Sequence, residues 1–483
     1  MREQRVRQDD FSPSPPPRSA TAPVVADGLP LPQRHIAMAV ILLGLVLCVM
    51  DSTMMNMALP QVARQWQVDP AQTLWVVNAN QIASLVLLLP LAALGDRMGY
   101  RRVYLGGMVI FGLASVGALL APSLPWLIVA RALQGLGAAG VLSVNASLVR
   151  LIYPRAQLGK GMALNSLTVA LSFVAGPAVA AAVISLGDWR WLFALHLPLA
   201  LAISWLGTRS LPQPVPQAAA AQQPLSWLDG VLNIVMFASL FLGVDRLSHL
   251  QPGGSLWPAA LWLGLGVGVG AWYLRRQRRL SAPMFPLDLL RIPVFALSMC
   301  ASITAFCAQT MAFLALPFLL IEARGLPTGQ AGLLISAWPL ALAISAPWVG
   351  RMIGRWPAGR LGAVGMALFA LGLWALALLP QDASNWNVVW RMALCGMGFA
   401  FFQSPNNFTI VTSAPLHRSG AASGMLGAAR HVGQGLGAVL LAAAFLVWNR
   451  EPGQAEQYAL LLSGCCAVLA GCFSVLRKAP AKA

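Results

Sequence analysis

The sequence predicts an all-α polytopic membrane protein: two six-helix bundles with two further helices inserted between them. Three observations carry that prediction. Of 483 residues, 58% are hydrophobic and 10% are charged, whereas a soluble chain is roughly 45–50% apolar and about 25% charged. The apolar residues gather into fourteen stretches, each long enough for a helix to cross the ~30 Å hydrocarbon core of a bilayer. The two halves of the chain also repeat each other at a nearly fixed offset.

The fourteen stretches are 36–59, 72–94, 103–121, 126–148, 163–185, 191–211, 227–248, 257–274, 293–320, 330–350, 361–380, 388–414, 421–448 and 457–476. Backbone polar groups in lipid must be satisfied within the segment, which selects helices. Strands of a membrane barrel would be about ten residues of alternating polarity, a pattern these stretches lack. Residues 1–34 carry Arg2, Arg5, Arg7 and Arg18 and a run of Ser and Pro over 12–17. They read as a disordered cytosolic tail, and not as a signal peptide, because the first apolar run starts late and is long enough to span. The remaining chain divides into an N-terminal six-helix bundle (35–211), a Pro/Gln/Ala linker (212–226), an inserted helix pair (227–280), a C-terminal six-helix bundle (281–477) and a cytosolic tail (478–483).

The repeat is visible in two places. Ala92 to Arg102 after the second stretch resembles Gly350 to Arg360 after the tenth, with Arg97 and Arg355 lying 258 residues apart. Arg131-Ala-Leu-Gln-Gly-Leu-Gly in the fourth stretch resembles Arg391-Met-Ala-Leu-Cys-Gly-Met-Gly in the twelfth, 260 residues on. Duplicated six-helix halves around a midplane site are a secondary-transporter architecture.

The charge is lopsided, with 32 Lys and Arg against 15 Asp and Glu, a net +17. With the N-terminus inside, 24 basic residues fall in inside segments, five in outside loops and three within helices. The positive-inside rule then places both termini in the cytoplasm of a multi-pass inner or plasma membrane protein. The basicity is an orientation signal and not a nucleic-acid surface. The expected partners are membrane lipid, protons and a small organic substrate. Whether a periplasmic adaptor and an outer-membrane channel act with the protein is left open. All seven cysteines lie in apolar spans without metal-ligand spacing and read as buried thiols; no metal site and no cofactor is expected. No Walker sequence is present, which argues against direct ATP drive and leaves the proton gradient as the expected source of coupling.

Several motifs resemble those of the major facilitator superfamily, specifically its fourteen-helix drug:proton antiporter group. The resemblance covers about residues 36–477 and rests on order and spacing. In the first helix, Asp51, Thr53, Asn56, Ala58, Leu59 and Pro60 match. The loop after the second helix matches at Leu94, Asp96, Arg97, Gly99 and Arg101 and departs at Ala92 and Tyr100. Arg131, Gln134, Gly135, Gly137, Ala138 and Ala139 match in the fourth helix. Gly176 and Pro177 match the antiporter motif of the fifth, although Ala180 and Ala181 replace its later glycines. Asp188 to Phe193 follows, with His196 where Asn is usual. The resemblance implies the major facilitator fold, alternating access and proton-driven export of small organic compounds, multidrug efflux in particular. A carrier of a specific metabolite, sugar or siderophore on the same scaffold is the alternative. A membrane enzyme using His431 or His196 is a remote third reading, opposed by the repeat and the motifs.

Asp51 is the only acid deep in the first bundle. A carboxylate in lipid needs a partner, water or a proton, and the rise of ~1.5 Å per residue puts Arg131 at a compatible depth. The expectation is that Asp51 carries the proton or a cationic substrate and that Arg131 tunes it; the resemblance implies that the first and fourth helices both face the central cavity. A static ion pair is the competing reading. For Asp96, Arg97, Gly99 and Arg101 the resemblance implies a cytoplasmic gate, in which Asp96 meets an Arg and a helix N-terminus of the other half. Gly354 stands at the equivalent of Asp96, so the latch is expected on one side only. Gly176 and Pro177 suggest a hinge or leak seal, or a kinked helix with small packing residues. Polar groups within apolar spans are the cavity candidates: Asn56, Asn80, Gln81, Gln309, Gln403, Asn406, Asn407, Arg430 and His431.

Overall fold

The computed structural model describes residues 27–68, 70–212, 226–248, 255–280, 283–380, 383–448 and 453–477. Most of the expected N-terminal tail (1–26), most of the linker (213–225) and the C-terminal tail (478–483) lie outside the described residues.

The first half holds α1 (Gln33–Trp66), α2 (Pro70–Met98), α3 (Tyr100–Leu119), α4 (Leu124–Ile152), α5 (Leu158–Leu186) and α6 (Trp191–Ser210). Then come α7 (Trp227–Ser248) and α8 (Trp257–Gln277). The second half holds α9 (Pro293–Pro317) and α10, two segments (Thr328–Ile335 and Ala337–Met352) that meet at Ser336. It continues with α11 (Ala358–Ala377), α12 (Asn385–Ser413), α13 (Ser419–Trp448) and α14 (Gln454–Val475). All fourteen apolar stretches fall on these helices. Twelve of the helices are long and apolar enough to cross a membrane; α12 and α13, of 29 and 30 residues, carry the other two stretches.

Local sequence sets several boundaries. Pro125, Pro258 and Pro293 lie in the first turns of α4, α8 and α9, where a missing N–H costs nothing. Gly99, at φ +93°, turns the chain from α2 into α3 in one residue, a conformation that a Cβ disfavours.

The two halves pair their helices in the same way. In the first, α2 and α3 pack on α4, α1 on α5 and α6, and α3 on α6; in the second, α10 and α11 pack on α12, α9 on α13 and α14, and α11 on α14. The halves meet along two seams, α2 against α13 and α5 against α10. The seams are close: a Cβ on Gly424 would lie 2.6 Å from Ala92 Cβ, and one on Gly350 2.5 Å from Ala163 Cβ. These pairs are repeat equivalents of each other. The inserted helices pair through Asp229 and Arg276 at 2.7 Å. Of the two, α7 docks where α2 meets α13, with Asn233 Nδ2 donating to Val86 O at 2.7 Å and Asn78 Nδ2 to Asp245 Oδ1 at 3.1 Å.

Residues 27–34 of the expected tail are held in place. Leu29 N donates to Ile152 O at 3.0 Å, Arg34 Nε to Leu29 O at 2.9 Å, and Asp27 accepts from Arg155 N at 3.1 Å. These bonds tie residues 27–34 to the end of α4, and α1 already begins at Gln33. Low apolarity marks the segment as a tail; local capping of the α4 terminus holds it.

Candidate functional site

Three polar sites stand out among the described residues. The first lies inside the N-terminal bundle. Arg131 Nη1 donates to both Asp51 carboxylate oxygens at 2.7 and 2.8 Å and to Gln134 Oε1 at 2.7 Å, and Arg131 Nε donates to Val76 O at 3.1 Å. Gln134 Nε2 then donates to Ser115 Oγ at 2.8 Å. His196 Nδ1 lies 3.7 Å from Asp51 Oδ1, and neither ring nitrogen has a hydrogen-bond partner. Phe111 and Phe193 flank the imidazole with ring centroids 5.6 and 6.1 Å away. Asp51, Arg131 and His196 are 2%, 0% and 3% exposed, so the pair is sealed from water. In such a place a charge survives only if it is neutralised and hydrogen-bonded.

Gly176 belongs to the same region. A Cβ there would collide with Thr53 Oγ1, so the glycine lets α5 lie against α1 two residues from Asp51. It faces α1 of its own half. Pro177 sits inside α5, where the missing donor loosens one backbone bond.

The second site joins the halves at the end of the bundle that carries most Arg side chains. Asp96, at the end of α2, accepts from Gly420 N at 2.7 Å and Ala421 N at 3.0 Å. Both donors belong to the first turn of α13, where unpaired N–H groups and the helix dipole favour an anion. A Cβ on Gly420 would lie 2.4 Å from Asp96 Oδ1, so only glycine admits the carboxylate. Tyr100 OH donates to Asp96 Oδ1 at 2.7 Å and accepts from Gly420 N at 3.1 Å. Beside it, Ser147 Oγ donates to Ser419 O at 2.7 Å. Arg150 Nη1 donates to Val411 O, Ala414 O and Ser419 Oγ at 2.7, 3.0 and 2.8 Å. Arg418 pairs with Asp288 at 2.7 Å. Arg101 turns away from this latch and donates to Thr208 O at the end of α6. The other seam is built differently: Gly354, at φ +88°, occupies the position equivalent to Asp96 and brings no carboxylate to α5.

The third site is a cavity bounded by both halves. It is lined by Asn145, Asn165 and Ser166 from the first half and by Gln403, Asn407, Ser423, Arg430 and His431 from the second, within an apolar wall. Asn145 Nδ2 donates to Asn165 Oδ1 at 2.7 Å.

Gln403, Asn407, Arg430 and His431 are therefore brought together. Asn56, Asn80, Gln81, Gln309 and Asn406 are not among the lining residues. Asn56 is exposed, and Asn80 is buried where α2 touches α4. Asn406 Nδ2 holds α12 to α9 through Ser302 Oγ at 2.7 Å. Asp51 and Arg131 do not line this cavity either; both are enclosed by the packing of α1, α2, α3, α4 and α6. Sequence reasoning missed Asn145, Asn165 and Ser423 in the cavity, Ser115 beside Gln134, and Tyr100, Ser147 and Arg150 at the latch. The asparagines had a usable signal, since each is a polar group inside an apolar span. Arg150 looked like any inside-loop cation.

A membrane-spanning fold of two equivalent six-helix halves, with a polar cavity between them and polar contacts joining them at one end, has the architecture of a transporter. The chain belongs to the Major Facilitator Superfamily, whose model matches residues 41–438, and it is a transporter and not an enzyme. It is 46% identical to the uncharacterized transporter YebQ of Escherichia coli K12, over 94% of this chain and 98% of that protein. It is 30% identical to the multidrug resistance protein Stp of Mycobacterium tuberculosis, over 84% of this chain and 75% of that protein. Among solved structures it is similar to the human organic anion transporter MFSD10 (TETRAN), with a TM-score of 0.66 at 16% identity, covering 92% of this chain and all of that one; this likeness concerns the fold.

Proposed function

We propose that this protein is a proton-coupled exporter of small organic compounds that works by alternating access across the inner or plasma membrane. The observation that carries the proposal is the sealed cluster of Asp51, Arg131 and His196. It is a buried acid, 2% exposed, held by one guanidinium that also grips α2 and Gln134. Protonation of Asp51 would break the charge-assisted bonds and free Arg131 from α1. The packing of α1, α4 and α6 would then change with the proton, which is the coupling an antiporter needs.

The basic end is the cytoplasmic end by the positive-inside rule, with both termini there. The contacts of Asp96, Ser147 and Arg150 close that end, and the cavity of Gln403, Asn407, Arg430 and His431 serves as the substrate site. The likeness to Stp supports multidrug efflux. A carrier of one metabolite is the second reading, supported by the amide-rich lining at Asn145, Asn165, Gln403 and Asn407.

The test is a drug-susceptibility panel in an efflux-deficient host. Wild type should raise resistance to a subset of compounds and Asp51→Asn should not, at equal membrane expression. Resistance from the variant equal to wild type contradicts the proposal.

A further inference from the structure

We propose that the cavity between the halves is an anion site: it takes small organic compounds bearing a carboxylate, sulfonate or phosphate group, which Arg430 binds. This rests on the reading of that cavity as the transport site.

The charges lining the cavity are one-sided. None of the lining residues is Asp or Glu, and Arg430 is the one Lys or Arg among them. Asp51, the acid expected to attract cations, is held by Arg131 inside the N-terminal bundle. Arg430 lies between two aromatic rings, one from each half: Phe173 of α5 at 5.8 Å and Phe306 of α9 at 5.9 Å. Such rings hold a guanidinium by its face, but they accept none of its five N–H donors in the plane. Among the described residues no side chain or carbonyl hydrogen-bonds to it, and no carboxylate pairs with it. A planar fork with its donors unspent is matched by a carboxylate, sulfonate or phosphate.

Two neighbours point the same way. Ser423 lines the cavity at 2% exposure, and its hydroxyl has no partner. Gln403 lines it at 7% exposure, and its side-chain oxygen is also unsatisfied. Buried polar groups left without partners are costly; a ligand with both an acidic group and hydrogen-bond donors would satisfy the serine and the glutamine while pairing Arg430. A quaternary ammonium would instead sit beside an uncompensated guanidinium, a like-charge arrangement that selects against it.

The test is ligand binding to purified full-length protein, read by thermal stabilisation. Matched sets share one aromatic body: naphthoate, naphthalenesulfonate and naphthyl phosphate against neutral naphthamide and cationic naphthylmethylammonium. Wild type should bind at least one anion tenfold or more tightly than the amide or the ammonium. Arg430→Gln should lose that preference, and Arg430→Lys, which keeps the charge, should retain it in part; the lysine variant also guards against a glutamine variant that fails to fold. Preference for the ammonium, equal binding of all forms, an anion preference that survives in Arg430→Gln, or no binding across the panel would overturn the proposal. Binding is read without a gradient, so a failure of proton coupling leaves this result standing, and the two readings fail separately.

Discussion

Arg131 holds Asp51 with one nitrogen on both carboxylate oxygens, at 2.7 and 2.8 Å, in a pocket where neither side chain is more than 3% exposed. Removing either partner strands the other charge. Breaking a buried pair from one side costs about 3–5 kcal/mol, whereas replacing both partners is often nearly neutral. Arg131→Gln is therefore expected to lower the melting temperature of the purified protein sharply. Asp51→Asn combined with Arg131→Gln should recover most of that loss while remaining inactive in export. Additive losses in the double variant would show that the two side chains are not coupled.

The latch makes a second prediction. Asp96→Asn keeps the shape but removes the charge that faces the α13 N-terminus, and Gly420→Ala puts a methyl where the carboxylate sits. Both should raise cysteine-reagent labelling at positions buried along the α2–α13 seam, such as a cysteine placed at Leu88, by several-fold. Unchanged labelling in both variants would mean that the Asp96 contact does not hold this end shut and that the Ser147 and Arg150 contacts and the other seam suffice.

Gly176 makes a third. Alanine there would meet Thr53 Oγ1, pushing α5 from α1 next to Asp51. Overpacking of this kind costs roughly 1–3 kcal/mol. Thr53→Ala removes the colliding hydroxyl, so Gly176→Ala combined with Thr53→Ala should melt closer to wild type than Gly176→Ala alone. If the second change brings no recovery, the contact does not set the helix spacing.

Much of this arrangement is legible in the sequence, for physical reasons. Charge is so scarce in the spans that Asp51 and Arg131 had few other partners, and the rise per residue already matched their depths. The repeat offset exposes the two halves, and Gly354 at the equivalent of Asp96 shows that a carboxylate contact of this kind can form at one seam only. Periodicity, however, states only that a helix is apolar, not which neighbour its polar side chain meets. It therefore could not show that the Asp51 pair turns into its own bundle and away from the cavity, or that Asn406 fastens α12 to α9 while Asn407 lines the cavity. Nor could it show that Arg150, one cation among many on the basic loops, caps the end of a helix in the other half. His196 was visible as a departure from the family pattern; its place beside Asp51 depends on how α6 packs against α1, which spans of uniform apolarity do not encode.

Proton flux in everted membrane vesicles tests the central claim most directly. Vesicles energised by respiration and loaded with a pH-sensitive dye are given a compound that the susceptibility panel identifies as exported. Wild type should release protons from the vesicle interior on addition of the compound, and Asp51→Asn, present at the same level, should give no signal above empty vesicles. A wild-type proton signal from Asp51→Asn would contradict the account.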